Sequence, residues 1–150
     1  GGFQASILLE LQPGPLIDWG NLFYYGDLSS IKLDNPTPDR WFNTANFQTN
    51  SSKTPAAYHR RVFPTRIDGV RADYIHNWNG SLLRDFRIRE RVGLQLRIDM
   101  MNIANRSQFD VPETSPTSAN FGKVTQQPAL TGSGYGACNR WVQVMARLQF

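Results

Sequence analysis

The sequence predicts an all-β protein, a fragment of an antiparallel transmembrane β-barrel with about four long strands and two long extracellular loops. Two observations lead to this fold class. Four segments alternate apolar and polar residues over 10 or 11 positions, whereas strands of soluble sheets usually have about 5–6 residues. The connections between these segments are long, short and long, which is typical of barrels with tight turns on one side of a membrane and large loops on the other.

The first two predicted strands cover residues 3–12 and 78–88. In the first strand, apolar residues occupy every second position from Phe3 to Leu11, and the opposite face is polar except for Leu8. In the second strand, Arg84 falls on the otherwise apolar face. A transmembrane strand needs about 9–11 residues with a lipid face and a lumen face. We therefore expect Arg84 near an interface, where its side chain can reach the headgroups.

The third and fourth predicted strands cover residues 92–102 and 140–150. Only Arg89, Glu90 and Arg91 separate the second strand from the third, so these two strands are predicted to form an antiparallel hairpin. Charged residues on the polar register of the strands could line a solute path, or they could form cross-strand pairs that stiffen the wall. These possible lumen-facing residues are Glu10, Asp85, Arg87, Arg97, Asp99 and Arg147.

The two long connections, residues 13–77 and 103–139, are predicted to be outer loops of a single barrel region that covers residues 1–150. The first loop is rich in aromatic residues, so we expect it to be packed rather than extended. Its aromatic residues are Trp19, Phe23, Tyr24, Tyr25, Trp41, Phe42, Phe47, Tyr58 and Phe63. Additional short strands are expected around residues 62–68 and 121–125, where they would extend the wall above the membrane.

No catalytic or cofactor-binding pattern occurs in the sequence. Neither His59 nor His76 has a second ligand residue at a metal-binding spacing, and no nucleophile elbow is present. The Gly-rich segment 132–136 is not followed by the Lys and Ser/Thr of a phosphate-binding loop, and Cys138 is a lone cysteine. We expect no enzymatic activity, no cofactor and no metal. The absence of an apolar run of about 20 residues excludes a helical membrane protein.

Four sequence motifs carry a family resemblance. They are DRWFNTANF at residues 39–47, WNGSLLRDFRIRER at 78–91, LQLRIDMMNIAN at 94–105 and SANFGKV at 118–124. In this order they resemble the C-terminal barrel region of Oar-like TonB-dependent receptors, a family whose members also carry a carboxypeptidase-regulatory-like domain. The resemblance runs from Gly1 to Phe150. It implies a barrel of about 22 strands in the bacterial outer membrane, which takes up a scarce solute with energy supplied through TonB.

A closed natural barrel needs at least about eight strands. We therefore expect the chain to be the C-terminal part of a longer receptor, with the signal peptide, the plug and the TonB-contacting segment outside it. The resemblance implies several partners: outer-membrane lipid and lipopolysaccharide, the barrel-insertion machinery, TonB through the missing N-terminal part, and an unknown solute. It also implies a barrel-assembly signal, a terminal aromatic residue preceded by apolar residues at alternate positions. The matching residues are Val142, Val144, Ala146, Leu148 and Phe150.

A basic segment of the first loop could form surface ion pairs with Asp68 and Asp73, or could contact anionic lipopolysaccharide, with Tyr58 and Phe63 as stacking groups. Its basic residues are His59, Arg60, Arg61, Arg66 and Arg71. The loop as a whole has seven basic and six acidic residues, so we expect no nucleic-acid partner.

Two other functions fit the sequence. One is a secreted β-sandwich that binds carbohydrate through Trp19, Trp41 and the loop tyrosines. The other is a surface or adhesion barrel that transports nothing. The strand lengths and the order of long and short connections disfavour the β-sandwich.

Overall fold

The computed structural model describes residues 2–127 and 139–150; the Gly-rich segment 132–136 and Cys138 lie outside these residues. The strands are β1 (Phe3–Gln12), β2 (Ile75–Arg89), β3 (Val92–Met101) and β4 (Trp141–Gln149). They form one antiparallel sheet in the order β1-β2-β3-β4. The prediction of an all-β fold with four long antiparallel strands is confirmed.

Helices contribute little to the described part of the chain. Two short 3₁₀ helices occur at Leu28–Ile31 and Ser51–Lys53. Asp27 caps the first and Asn50 caps the second, because each side chain accepts a hydrogen bond from the backbone N–H two residues later. A search of the described residues for a helix long and apolar enough to cross a membrane finds none.

The register of the sheet joins the apolar sides of the four strands into one face. Ala5 lies opposite Leu82, Leu82 opposite Ile98, and Ile98 opposite Val144. Paired residues of antiparallel strands point to the same side of the sheet. Residues at alternate positions before and after this row therefore share its side, and we call this side the apolar face.

β2 is longer than its sequence pattern predicts. It begins at Ile75 rather than at residue 78, because Ile75, His76 and Asn77 continue the pairing with β1. At its other end Arg87 lies opposite Gly93 but Arg89 lies opposite Val92, so that Ile88 is an extra residue in a β-bulge. The turn of the hairpin is thus reduced to Glu90 and Arg91.

β3 ends at Met101, one residue before its predicted end. Asn102 has a positive φ of 48°, a left-handed conformation that Asn tolerates better than most residues. Its buried side chain accepts a hydrogen bond from the Arg106 N–H at 3.0 Å and donates one to the Arg106 carbonyl at 2.9 Å. These bonds turn the chain out of the sheet.

The first long connection and part of the second fold into one compact unit, which we call the loop unit (Pro13–Tyr74 and Phe109–Gln127). Its core is apolar, and half of its buried residues are aromatic, in agreement with the aromatic composition of the first loop. Phe109, Phe121 and Val124 from the second connection pack against this core. The buried residues of the core are Ile17, Trp19, Leu22, Ile31, Trp41, Phe42, Phe47, Phe63, Ile67 and Val70.

The short strands expected around residues 62–68 and 121–125 do not form. Phe63 and Ile67 are buried in the core of the loop unit instead. At 121–125 the chain makes a turn in which Gly122 has a positive φ of 79°. The apolar residues that suggested strands serve packing within the loop unit.

The sheet carries no comparable core. Every residue of β1 and β4 is exposed, including Ile7 at 70 % and Val144 at 69 %. An apolar face of this extent on a soluble monomer would be an aggregation hazard. The apolar face must therefore be covered by an apolar environment outside the sheet.

Candidate functional site

All six residues predicted to face a lumen lie on the same side of the sheet, opposite the apolar face. The pairing Asp85–Gln95–Arg147 and the pairing Ser81–Asp99–Gln143 run across β2, β3 and β4 on this side. Glu10 pairs with Asn77 on the same side. The alternation of side chains along a strand then places Arg87 and Arg97 there as well. We call this side the polar face.

Short polar contacts connect neighbouring residues of the polar face. Gln95 Nε2 donates a 2.9 Å hydrogen bond to Asp85 across β2 and β3. Arg97 Nε donates one of 2.9 Å to Asp99 on its own strand. Glu10 accepts hydrogen bonds from Gln12 at 2.9 Å and from Asn77 at 3.4 Å.

The hydroxyl groups of Ser6 and Ser81 also join β1 to β2, at 2.8 Å. Arg87 and Arg147 make no hydrogen bond or ion pair within the described residues. The polar face therefore combines groups that are paired along the wall with two arginines that have no partner within the described residues.

The apolar residues of β4 lie on the apolar face of an edge strand. Val142, Val144 and Leu148 are 50–69 % exposed, and β4 pairs within the described residues only with β3. Phe150 follows the strand and is 97 % exposed. The residues of the predicted assembly signal are thus all exposed in the described structure.

The basic segment of the first loop makes other contacts than the predicted ion pairs with Asp68 and Asp73. Arg66 pairs with Asp18 through a 2.8 Å contact, not with Asp68 or Asp73. Asp73 is buried and accepts a 3.1 Å hydrogen bond from the Phe109 N–H. The prediction of ion pairs with Asp68 and Asp73 missed these partners because Asp18 is 48 residues distant from Arg66 in sequence.

Two further arginines of the segment hold backbone in place. Arg61 donates to the Trp19 and Gly20 carbonyls, and Arg71 Nη1 donates to the Gly14 carbonyl at 3.1 Å. Phe63 is buried, so it cannot act as a stacking platform. Within this segment Arg60 is exposed and Tyr58 is fully exposed, and their contact with lipopolysaccharide stays a prediction.

Two carboxyl groups of the loop unit, those of Asp18 and Asp27, have lowered pKa values. The hydrogen bond and positive charge of Arg66 lower the pKa of Asp18, and the same contact raises the pKa of Arg66. The Ser29 N–H donates to the Asp27 carboxylate, and this bond lowers the pKa of Asp27. Both carboxylates are stabilised in their charged form.

The two histidines, His59 and His76, have different hydrogen-bond partners. His76 Nε2 accepts a 2.6 Å hydrogen bond from Trp78 Nε1, and His59 Nδ1 lies 2.6 Å from the Arg60 carbonyl. A search of the described residues for clusters of His, Cys, Asp and Glu able to hold a metal finds none.

The sheet has the length, the single apolar face and the connection pattern of a membrane wall, and comparison with protein families gives the same result. A family model described as "Outer membrane beta barrel domain" matches residues 19–143, more than half of the chain. The chain belongs to the outer membrane β-barrel domain family. Searches of curated proteins and of solved structures give no match.

Membership of the family explains the apolar face of the sheet, whereas the position of the polar face toward a lumen stays a prediction. In an outer membrane β-barrel domain the outward face is an apolar band against lipid, and the inward face is polar. The four strands of this domain are transmembrane strands, and its location is the bacterial outer membrane. The exposed apolar residues of β1 and β4 are therefore explained by lipid.

Reasoning from sequence missed two features of this barrel domain. The sequence pattern places Arg89 in the turn, but its pairing with Val92 brings it onto the apolar face. The second connection was not expected to share a core with the first, yet Trp41 contacts Phe109 and Phe42 contacts Phe121. The phenylalanines of the second connection were the available signal for the shared core.

Proposed function

We propose that this outer membrane β-barrel domain forms part of an Oar-like, TonB-dependent receptor that takes up a scarce solute. The observation that carries the proposal is the loop unit. Two connections from different parts of the chain fold around one aromatic core, whereas loops that merely close strands need no core. A folded unit presents a fixed surface, which reduces the entropy lost when a solute binds.

A surface pocket of the loop unit supports a binding role. It has a volume of about 320 Å³ and is lined mainly by apolar and aromatic side chains. This volume falls at the lower end of the range for small-molecule sites, about 300–1,000 Å³. Its lining residues include Phe23, Tyr24, Leu28, Val62 and Phe63.

The polar face supplies the transport path in this proposal. Glu10, Asp85 and Asp99 balance Arg87, Arg97 and Arg147 in formal charge. A wall with mixed charge does not favour ions of one sign. It suits a solute that carries both polar and ionic groups.

The partners of the receptor follow from the same proposal. TonB would supply energy through a plug segment of the full receptor. The barrel-insertion machinery would bind β4, where the alternating residues of the assembly signal and Phe150 are exposed on a strand that pairs only with β3 among the described residues. Lipopolysaccharide would contact Arg60 in the loop unit.

An uptake assay tests the proposal. Cells that carry the full-length gene, cells that lack it, and cells that lack TonB are supplied with ferric citrate, cobalamin and a maltodextrin, and depletion of each probe from the medium is measured. We expect at least one probe to be depleted only when both the gene and TonB are present. If depletion depends on the gene but not on TonB, energised uptake is contradicted.

The role of the loop unit is tested in the same cells with two variants. Phe42→Ala removes a fully buried ring from the core, whereas Tyr25→Ala removes an exposed one. We expect uptake to fall with Phe42→Ala and to persist with Tyr25→Ala. Unchanged uptake in both, at equal amounts of protein in the membrane, contradicts the role of the loop unit in binding.

The surface or adhesion barrel remains the competing outcome, and it would follow if no probe is depleted but cell adhesion depends on the gene. The secreted β-sandwich is not supported. The described strands form one sheet rather than two. Trp19 and Trp41, its expected carbohydrate platforms, are 3 % and 7 % exposed.

A further inference from the structure

Arg84 is a cation on the lipid-facing wall of the barrel domain. It lies opposite Phe3 on β1 and opposite Leu96 on β3, and so belongs to the apolar face. A charged side chain at this face costs free energy unless it reaches the interface. Its presence there calls for a compensating partner.

The surroundings of Arg84 fix the guanidinium but do not neutralise it. The guanidinium carbon lies 4.4 Å from the centroid of the Phe3 ring and 4.7 Å from that of the Phe86 ring. Both distances are within the range of cation–π attraction. Nε is buried and has no hydrogen-bond partner among the described residues, and no ion pair to Arg84 occurs among them.

The side chain is directed toward the short turn of the hairpin. Phe86 lies two residues closer to that turn than Arg84 does, and the guanidinium contacts its ring. Tight turns of outer-membrane barrels are on the periplasmic side. The guanidinium therefore points toward the periplasmic leaflet, which consists of phospholipid.

A second cation reaches the same face from the turn. The β-bulge at Ile88 places Arg89 opposite Val92, and Val92 shares the side of Leu94 and Leu96. Without the extra residue, Arg89 would continue the alternation on the polar face with Arg87. The acidic residues of the hairpin strands, Asp85 and Asp99, lie on the polar face, so these two cations meet no carboxylate of their own face.

We propose that Arg84 and Arg89 bind the phosphate group of an anionic phospholipid, such as phosphatidylglycerol, in the periplasmic leaflet. Guanidinium groups bind phosphate through paired, charge-assisted hydrogen bonds. Phe3 and Phe86 contact the Arg84 guanidinium through cation–π attraction, and Arg84 makes no hydrogen bond or ion pair within the described residues that would compete with phosphate oxygens. The acyl chains of the lipid lie along the apolar face next to this headgroup. The inference rests on the membrane wall of the barrel domain and is independent of transport.

Native mass spectrometry of the full-length protein, released from detergent micelles with added lipid, tests the site. The probes are phosphatidylglycerol, phosphatidylethanolamine and lipid A at equal concentration. We expect the protein to retain phosphatidylglycerol in preference to the other two. Equal retention of phosphatidylethanolamine, or stronger retention of lipid A, overturns the proposal.

Variants locate the binding. Arg84→Gln is expected to reduce retention of phosphatidylglycerol by about fivefold, which corresponds to ~1 kcal/mol for one basic residue at an anionic surface. Arg147→Gln removes the same charge from the polar face and should leave retention unchanged. If the two variants reduce retention equally, the effect is one of net charge and the proposal is wrong.

Phe86→Leu keeps the apolar face but removes one ring of the clamp, and we expect an intermediate loss of lipid. Folding of each variant is checked by heat-dependent migration in a detergent gel. Should Arg84→Gln fail to fold, Phe86→Leu still decides, because unchanged retention in this variant contradicts the role of the clamp. Uptake of solutes is measured in parallel, so that loss of lipid binding can be distinguished from failure of the transport proposal.

Discussion

Single residues of the loop unit are placed so closely that one methyl group matters. A side chain added at Gly14 would put its Cβ 1.9 Å from the Ala72 carbonyl oxygen. That oxygen belongs to the backbone that pairs with Pro15, since the Ala72 N–H donates to the Pro15 carbonyl at 2.9 Å. At Gly20 the nearest atom to an added Cβ is Leu22 Cδ2 at 3.8 Å. Within the loop unit, Gly14 therefore has no space for a Cβ atom, whereas Gly20 has.

We predict that Gly14→Ala destabilises the loop unit by about 1–3 kcal/mol, because the backbone must move to admit the methyl group. Gly20→Ala, the matched control, should be neutral or stabilise the unit by about 0.4–1 kcal/mol. Thermal unfolding of the protein in detergent, followed by fluorescence of the buried Trp19 and Trp41, measures both. Equal midpoints for the two variants would contradict the close approach at Gly14.

The Asp18–Arg66 contact favours the charged form of Asp18, and because both side chains are exposed its contribution to stability is small. Because the pKa of Asp18 is lowered in the folded state, its contribution to stability is present above the unfolded pKa of about 3.9. It is lost as the pH falls through the lowered folded value. We predict that NMR titration of the Asp18 carboxyl gives a lowered pKa that returns to its ordinary value in Arg66→Gln. An unchanged titration in that variant would refute the pairing.

Within a single strand, successive side chains point to opposite faces of the sheet, and this alternation decides which residues face lipid. Leu82 and Leu83 are neighbours of the same type in β2, but Leu82 pairs with Ala5 and Ile98, whereas Leu83 pairs with Gln4 and Arg97. The alternation in sequence was sufficient to predict these faces. It was not sufficient to predict the bulge at Ile88, which depends on how β2 and β3 meet at the turn.

We predict that Leu82→Arg impairs insertion of the protein into lipid vesicles far more than Leu83→Arg does. An arginine on the lipid face costs about 2–4 kcal/mol at the midplane and less near an interface, whereas the polar face already accommodates Arg97. The folded fraction is measured by heat-dependent migration in a detergent gel. If Leu83→Arg were the more damaging variant, the assignment of the two faces would be reversed.

On the scale of the whole molecule, the chain has two units that bury apolar surface in different ways. The loop unit has an aromatic core, in which the Trp19 ring stacks on Phe47 at 5.8 Å and contacts Phe42 and Phe63 edge-on. The sheet exposes its apolar face to lipid. The hydrophobic residues of the sequence therefore serve two different environments, which composition alone does not separate.

We predict that Phe42→Ala unfolds the loop unit while the membrane sheet persists. Removal of a fully buried phenylalanine costs about 3–5 kcal/mol, and this cost falls on the loop unit alone. In lipid vesicles the tryptophan emission of the variant should shift to longer wavelength, while its β-sheet circular dichroism remains. Tyr25→Ala, at an exposed ring, is the control. Simultaneous loss of both signals in Phe42→Ala would show that the units unfold as one.

The strands, their faces and the order of long and short connections follow from local patterns in the amino-acid sequence. This was possible because side-chain alternation is a local property, and each face meets a different solvent over its whole length. The positions of Glu10, Asp85 and Arg147 on one side of the sheet follow from it. The tertiary structure decided what depends on residues distant in the chain: the partner of Arg66, the burial of Asp73, the shared core with Phe109 and the cation–π clamp of Arg84. Those contacts arise when separate segments meet in space, and no pattern within a single segment encodes them.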